Sequence, residues 1–335
     1  MLRRSGRWGW LRIGVLVLVL SGLAAAAEDS GNKEIIDMVL DALRGKDPQM
    51  QSSVIGIVRD LPGQDVTKAL VQELPKLPAT IQVQLLSALG DRGDATALPA
   101  VIEAGKSQEE SVRVAALRAV GQLGNVSTIP LLAERASASR GAEQRAAREG
   151  LYRLRGPDVD AAILQGLASA APGVKAELVA AVGERNISGA TETLLATAKD
   201  ADRRVRMESL RVLRIVAKPE DMPALVNLLL EIKNEPDRGE AEKLVAAVAH
   251  KIEDKSRQAA AVQAVLPNVK EVPDRASLLR VLGRIGDASS LPILLTSLSS
   301  REAEIQDAAI RALSDWPTAE PVPDLLKVVQ IAENR

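Results

Sequence analysis

Cysteine and phenylalanine are absent from this chain, and it holds a single histidine and a single tyrosine. Without cysteine there is no disulfide, no thiol nucleophile, no thiolate metal ligand and no lipid-anchored amino terminus of the lipoprotein kind. The lone histidine, His250, has no second histidine or cysteine with which to build a zinc or iron site. It reads as a residue in the last turn of a helix, where partial positive charge is favoured. Two of the three tryptophans, Trp8 and Trp10, stand near the amino terminus, leaving Tyr152 and Trp316 as the aromatics of the remaining chain. Sugar sites, base-stacking platforms and proline-peptide grooves rest on aromatic faces, so all three are disfavoured. No block of like charge occurs and no segment alternates apolar and polar with period two, so neither a polyelectrolyte tail nor a sheet is expected. No twelve-residue calcium loop occurs, and acid pairs such as Glu109-Glu110 read as solvated first-turn charges.

What is present begins with a leader. Arg3, Arg4, Arg7 and Arg12 precede an unbroken apolar run from Ile13 to Leu20, and small residues from Ser21 to Ala27 follow. This is the layout of a secretory signal peptide, residues 1–27, with the mature chain beginning at Glu28. A retained anchor is the other reading, although the apolar run is shorter than a bilayer span. The leader holds four of the 43 basic side chains and none of the 44 acidic ones, so the rest carries a net charge near −5. That balance gives no electrostatic support for nucleic acid or an anionic membrane as partner.

The rest of the chain is periodic. Val58, Leu89, Val120, Leu151, Val182 and Leu213 follow one another at steps of 31 residues, and Val248, Leu282 and Leu313 continue at steps of 35, 34 and 31. A period of this size marks a solenoid of stacked supersecondary units. Taking the next residue as position zero, apolar residues recur at −9, −5, −4 and −1, as in Ile81, Leu85, Leu86 and Leu89, which is one face of a helix. A polar turn with Gly and then Asp or Asn follows. Proline recurs at +9, as Pro99, Pro130, Pro223, Pro292 and Pro323, where it suits the first turn of a second helix. Apolar residues at +11, +12 and often +15 complete that helix. The longer steps are expected to place their extra residues in loops at 233–239 and 268–273. Arg148 occupies the otherwise apolar −4 column.

The segments at 111–136, SVRVAALRAVGQLGNVSTIPLLAERA, and 274–298, DRASLLRVLGRIGDASSLPILLTSL, resemble bacterial HEAT repeats, of the short kind also seen in phycobilin lyase subunits. The resemblance covers roughly residues 48–333. It implies an all-α, right-handed α-solenoid of about nine helix-turn-helix repeats in a single domain over 28–335, with a capping helix over 31–47. A 31-residue step leaves no room for the third helix of an armadillo unit. Deoxyhypusine hydroxylase also carries HEAT-like repeats, but it holds iron with several His-Glu pairs, and here His250 is followed by Lys251. A HEAT-like DNA glycosylase needs a basic face and aromatics that this chain lacks.

The expected function is therefore a non-enzymatic scaffold or adaptor with no cofactor and no metal. The protein would be exported to the periplasm or beyond, monomeric, and active through a protein partner, with no nucleic acid and no membrane contact beyond the leader. The alternative is an accessory segment of an exported enzyme whose catalytic domain is missing or separately encoded. In the family the second helices line the concave side. The +13 column lies opposite their apolar positions and supplies the candidate contact residues: Gln72, Glu103, Glu134, Gln165, Asn227, Thr296 and Lys327. Arginines on the first helices, Arg113, Arg118, Arg206, Arg211, Arg280 and Arg311, read as a solvated face with pairs such as Glu208 with Arg211, or else as a ladder for an acidic partner.

Overall fold

The computed structural model describes residues 29–326, with side chains from 33 onward. The leader and Lys327 lie outside the described residues. Within them every regular element is a helix. The chain divides into two compact units, with the boundary between Ala162 and Ile163.

The first unit opens with α1 (Asp29–Arg44), which falls in and just ahead of the capping segment read from the sequence. Three helix pairs follow: α2 (Pro48–Val58) with α3 (Gln64–Glu73), α4 (Ala79–Arg92) with α5 (Leu98–Ala104), and α6 (Glu110–Leu123) with α7 (Ile129–Ala138). Next come α8 (Gly141–Arg153) and α9 (Val159–Gly166), the latter crossing the boundary. The second unit contains α10 (Pro172–Glu184) with α11 (Thr191–Thr197), and α12 (Arg203–Val216) with α13 (Met222–Glu231). It continues through α14 (Glu235–Ala249) with α15 (Ala260–Val265), α16 (Val272–Ile285) with α17 (Leu291–Ser297), and α18 (Ala303–Ser314). Each unit is an α-solenoid in which even-numbered first helices stack on one another and second helices lie on the first helix of the following pair, as α5 does on α6 and α13 on α14.

The periodic column explains the stacking. Val58, Leu89, Leu151, Val182, Leu213, Val248 and Leu282 are fully buried, and Val120 and Leu313 are 1 % exposed. Burying such a side chain contributes about 1.5–3 kcal/mol, and each pair exposes this face until a neighbour covers it. The −4 residues Leu117 and Leu210 are buried as well. In α8, Ala146, Ala147, Gly150 and Leu151 form the buried face, and Arg148 is half-buried beside them.

Two glycine roles separate. Gly93 and Gly286 end α4 and α16 in the left-handed region at φ 69° and 68°, as glycine allows. The glycines at position zero lie inside their helices and set the spacing between helices instead. A Cβ on Gly121 would stand 2.4 Å from Gly150 Cα, and one on Gly283 would stand 2.5 Å from Ala312 Cα. Asp94, Asn125 and Asp287 then cap the 3-10 turns that lead into α5, α7 and α17, accepting from Thr96, Ser127 and Ser289 N–H. The recurrent proline stands in the first turn of those helices and of α13.

The extra residues lie elsewhere than the sequence suggested. First helices begin eleven residues before position zero, but α14 begins fourteen before it. Three of its four extra residues therefore add a turn of helix, and Glu235 to Gly239 are not a loop. The other insertion falls in the turn at 250–259, between α14 and α15, and not at 268–273. An added helical turn keeps its backbone groups hydrogen-bonded and its face in phase, which a loop of equal length would not do.

Candidate protein-binding surface

The candidate +13 residues stand on second helices. Gln72, Glu103 and Glu134 lie on α3, α5 and α7 of the first unit, and Gln165, Asn227 and Thr296 lie on α9, α13 and α17 of the second. All six are exposed. Glu103 pairs with Lys106 one turn on, at 2.7 Å. Thr296 donates its hydroxyl to Pro292 O at 2.8 Å, so it offers only its methyl and lone pairs outward.

Glu103 edges a depression of about 360 Å³ at the carboxyl ends of α3 and α5. Val71, Leu74, Pro75, Ala100 and Ala104 give it an apolar floor, and Gln82, Lys106 and Ser107 form polar edges with Glu103. From the next second helix, Arg135 donates to Gly105 O at 3.4 Å, which ties α7 to the end of α5. The sequence placed Glu103 outward, but the depression arises only where two second helices meet.

A set of residues holds these ends in place, of which the sequence had singled out only Arg113 and Arg206, and those as part of a solvated face. At −8 the first helices carry long polar side chains that reach back to carbonyls at the end of the preceding second helix. Gln51 donates to Leu43 O at 2.7 Å, Gln82 to Leu77 O at 2.9 Å, and Gln144 to Ala136 O at 2.8 Å. Arg113 donates to Ser107 O and Gln108 O at 2.9 and 2.8 Å, and Arg206 to Asp200 O and Ala201 O at 3.0 and 2.9 Å. Helix carboxyl ends leave carbonyls without helical partners, and these donors satisfy them. The signal was available as Gln, Arg or Lys recurring with the 31-residue step. Polar residues at a helix start read as solvent-facing by default, so it passed unseen.

The arginines of the first helices are engaged within the protein. Arg113 meets Glu143 at 3.1 Å and Arg206 meets Asp237 at 2.7 Å. Arg280 meets the buried Glu242 at 2.7 Å, Arg118 meets Glu149 at 3.9 Å, and Arg311 meets Asp307 at 2.9 Å. The expected pair of Glu208 with Arg211 is present at 2.6 Å. Most of these contacts join successive first helices, so the ladder is largely internal.

Cations also close the carboxyl ends of first helices. Arg92 reaches Val58 O and Leu61 O at the carboxyl end of α2, and Lys251 donates to Ile215 O and Ala217 O at 2.8 Å at the carboxyl end of α12. Burial lowers the pKa of both groups. His250 sits just past α14 with Nε2 at 3.0 Å from Ile285 O, which gives it a structural partner at the end of α16. Among the described residues no three His, Asp or Glu side chains cluster to hold a metal ion, and no helix is long and apolar enough to cross a membrane.

The profile of the HEAT repeats family matches residues 67–151 and 161–246, half of the chain. No curated protein sequence matches significantly. Among solved structures, the karyopherin Kap121p bound to the SUMO protease Ulp1p is similar at a TM-score of 0.52 and 10 % identity, over 90 % of this chain and 39 % of the karyopherin. This chain thus spans about two fifths of the karyopherin's length. Human deoxyhypusine hydroxylase in complex with glycerol aligns at 19 % identity over 86 % of this chain and 97 % of the hydroxylase, with a TM-score of 0.34.

Proposed function

Because the chain belongs to the HEAT repeats family, we propose that it is a non-enzymatic scaffold that binds a protein partner through its second helices. The observation that carries this reading is the depression between α3 and α5, apolar below and edged by Glu103 and Lys106, beside an outward +13 column. A floor of Val71, Leu74 and Pro75 can take an apolar side chain from a partner, and the charged edge fixes orientation more than it adds affinity. We place the protein outside the cytoplasm on the basic, apolar and small-residue order of its first 27 residues. The repeat type, the missing cysteine and the single histidine favour binding without chemistry.

The test is affinity capture from an envelope extract with wild-type and Glu103→Lys/Glu134→Lys bait. Proteins held by the wild type and by a control reversed at Arg204 and Arg301, exposed residues at the starts of α12 and α18 and off the second helices (Arg204→Glu/Arg301→Glu), but lost from the double lysine variant, are the expected result. Equal capture by all three baits rules this surface out. N-terminal sequencing of the exported protein should begin at or near Glu28, and an intact Met1 in the membrane fraction overturns cleavage.

A further inference from the structure

The first helices of the first unit carry a second depression, of about 390 Å³. It runs over the first helices α4, α6 and α8. Val83, Ser87, Ala115, Ala119, Gly121 and Gly150 make its floor. The trough exists because small residues let these helices approach closely; a Cβ on Gly121 would strike Gly150. Its charged edges are Arg118, Arg153 and Glu149.

The charge here is lopsided. Between residues 135 and 155 the sequence holds six arginines and two acids, in a chain whose formal net charge is −1. Of the two acids, Glu143 is buried and taken by Arg113 and Arg135. Glu149 is engaged loosely by Arg118 at 3.9 Å, and that guanidinium keeps 61 % of its side chain in solvent. Arg145 and Arg153, on the exposed side of α8, have no carboxylate within ion-pair distance among the described residues. The nearby Asp91 is spent on Arg59 and on an amide hydrogen bond from Gln122. A narrow apolar trough flanked by under-neutralised arginines is complementary to one kind of partner.

We propose that this trough docks an acidic peptide segment, with small apolar side chains on the floor between α4, α6 and α8 and carboxylates at Arg118, Arg153 and Arg145. Guanidinium groups suit carboxylates because their forked donors meet both oxygens at once. The site is independent of the second-helix surface, and neither requires the other.

The full chain is tested with a short fluorescein-labelled peptide of alternating glutamate and alanine, read by fluorescence anisotropy at low and raised salt. Binding should weaken as salt rises, and Arg118→Glu/Arg153→Glu should reduce affinity by at least about tenfold. Circular dichroism checks that this variant is folded. Should it fail to fold, Arg118→Gln/Arg153→Gln keeps the test open, with a loss of several-fold expected. Equal binding of the glutamine-for-glutamate peptide, unchanged affinity in a folded double variant, or full displacement by inorganic phosphate at matched ionic strength each overturns the proposal. The last outcome assigns the arginines to a small oxyanion.

Discussion

Successive first helices are joined in two different ways. In the first unit α6 and α8 add to the Arg113–Glu143 pair a backbone-to-backbone approach, with Gly121 against Gly150. In the second unit α14 and the link ahead of it meet α16 through ionised side chains: Arg238 to Asp274 at 3.1 Å, Lys233 of the link to Asp274 at 2.7 Å, and Arg280 to Glu242 at 2.7 Å. Ser277 adds a hydroxyl to the same Glu242 oxygen. The contrast follows position zero, which is Gly121 in α6 and Ala249 in α14. It also follows the longer start of α14, where Arg238 faces α16 and Asp237 faces Arg206 of α12, both nearly fully buried. Close packing gains dispersion and apolar burial and tolerates no added atom. A buried ion pair gives geometric definition and little net stability, because desolvation offsets most of the attraction. The first kind of joint should break by insertion, the second by removal of a single partner.

Gly121→Val tests the first joint most severely. Its new side chain has no space against Gly150, so we expect about 3 kcal/mol of destabilisation, the upper end for overpacking, by urea denaturation. A loss below 1 kcal/mol would show that α6 and α8 part easily. Arg238→Met should cost about 2 kcal/mol, below the usual range for breaking a buried pair because Lys233 still holds Asp274. Adding Asp274→Leu should recover most of that loss, since replacing a whole buried pair with apolar groups is close to neutral. A double variant worse than the single would mean that the pair contributes net stability.

An acid titration separates the ion-paired contacts from the glycine ones. Glu73 is held below its ordinary pKa by the hydrogen bond from Arg44 and, after the opposing effect of burial, by Lys76. Asp200 is lowered first by the hydrogen bond from Lys175. For a lowered carboxyl the stabilisation is complete above the unfolded value, near 4 for both types, and is lost as pH falls through the folded value. Hydrogen exchange around α1 to α3 and α11 should therefore rise below about pH 4, before the Gly121 contact of α6 with α8 is affected. Simultaneous loss at all three places would argue for one cooperative acid transition. The smallest expected effect is a gain. Gly239 lies inside α14 with nothing within 4 Å of an added Cβ, so Gly239→Ala should stabilise by about 0.5–1 kcal/mol.

Much of the fold was legible because a repeat writes the same constraint many times. The Val/Leu column, the prolines and the turn Asp or Asn residues could be read by superposing units, and Glu103 and Glu134 could be placed outward from the apolar positions beside them. The insertions could not, because four extra residues read alike whether they lengthen a loop or wind one more turn of helix. Glu143, Asp237, Glu242 and Asp274 could not be read either. A charged residue on a helix counts as solvated until a neighbouring unit covers it, and here the following or preceding helix buries all four. The role of the −8 donors went unread for the same reason, since their acceptors are main-chain carbonyls that carry no side-chain signature.

The sequence by itself determined the helix pair, its 31-residue step and the buried face of each first helix. Those depend on local periodicity and on apolar burial, which composition and spacing express directly. Tertiary structure decided which polar groups became internal, how closely two helices approach, and where a depression opens between them. Those outcomes depend on groups brought together from successive repeats, about 30 residues apart in sequence in contacts such as Arg113 with Glu143. Their energies rest on desolvation and on clashes of a few tenths of an ångström, which exist only once the units are stacked.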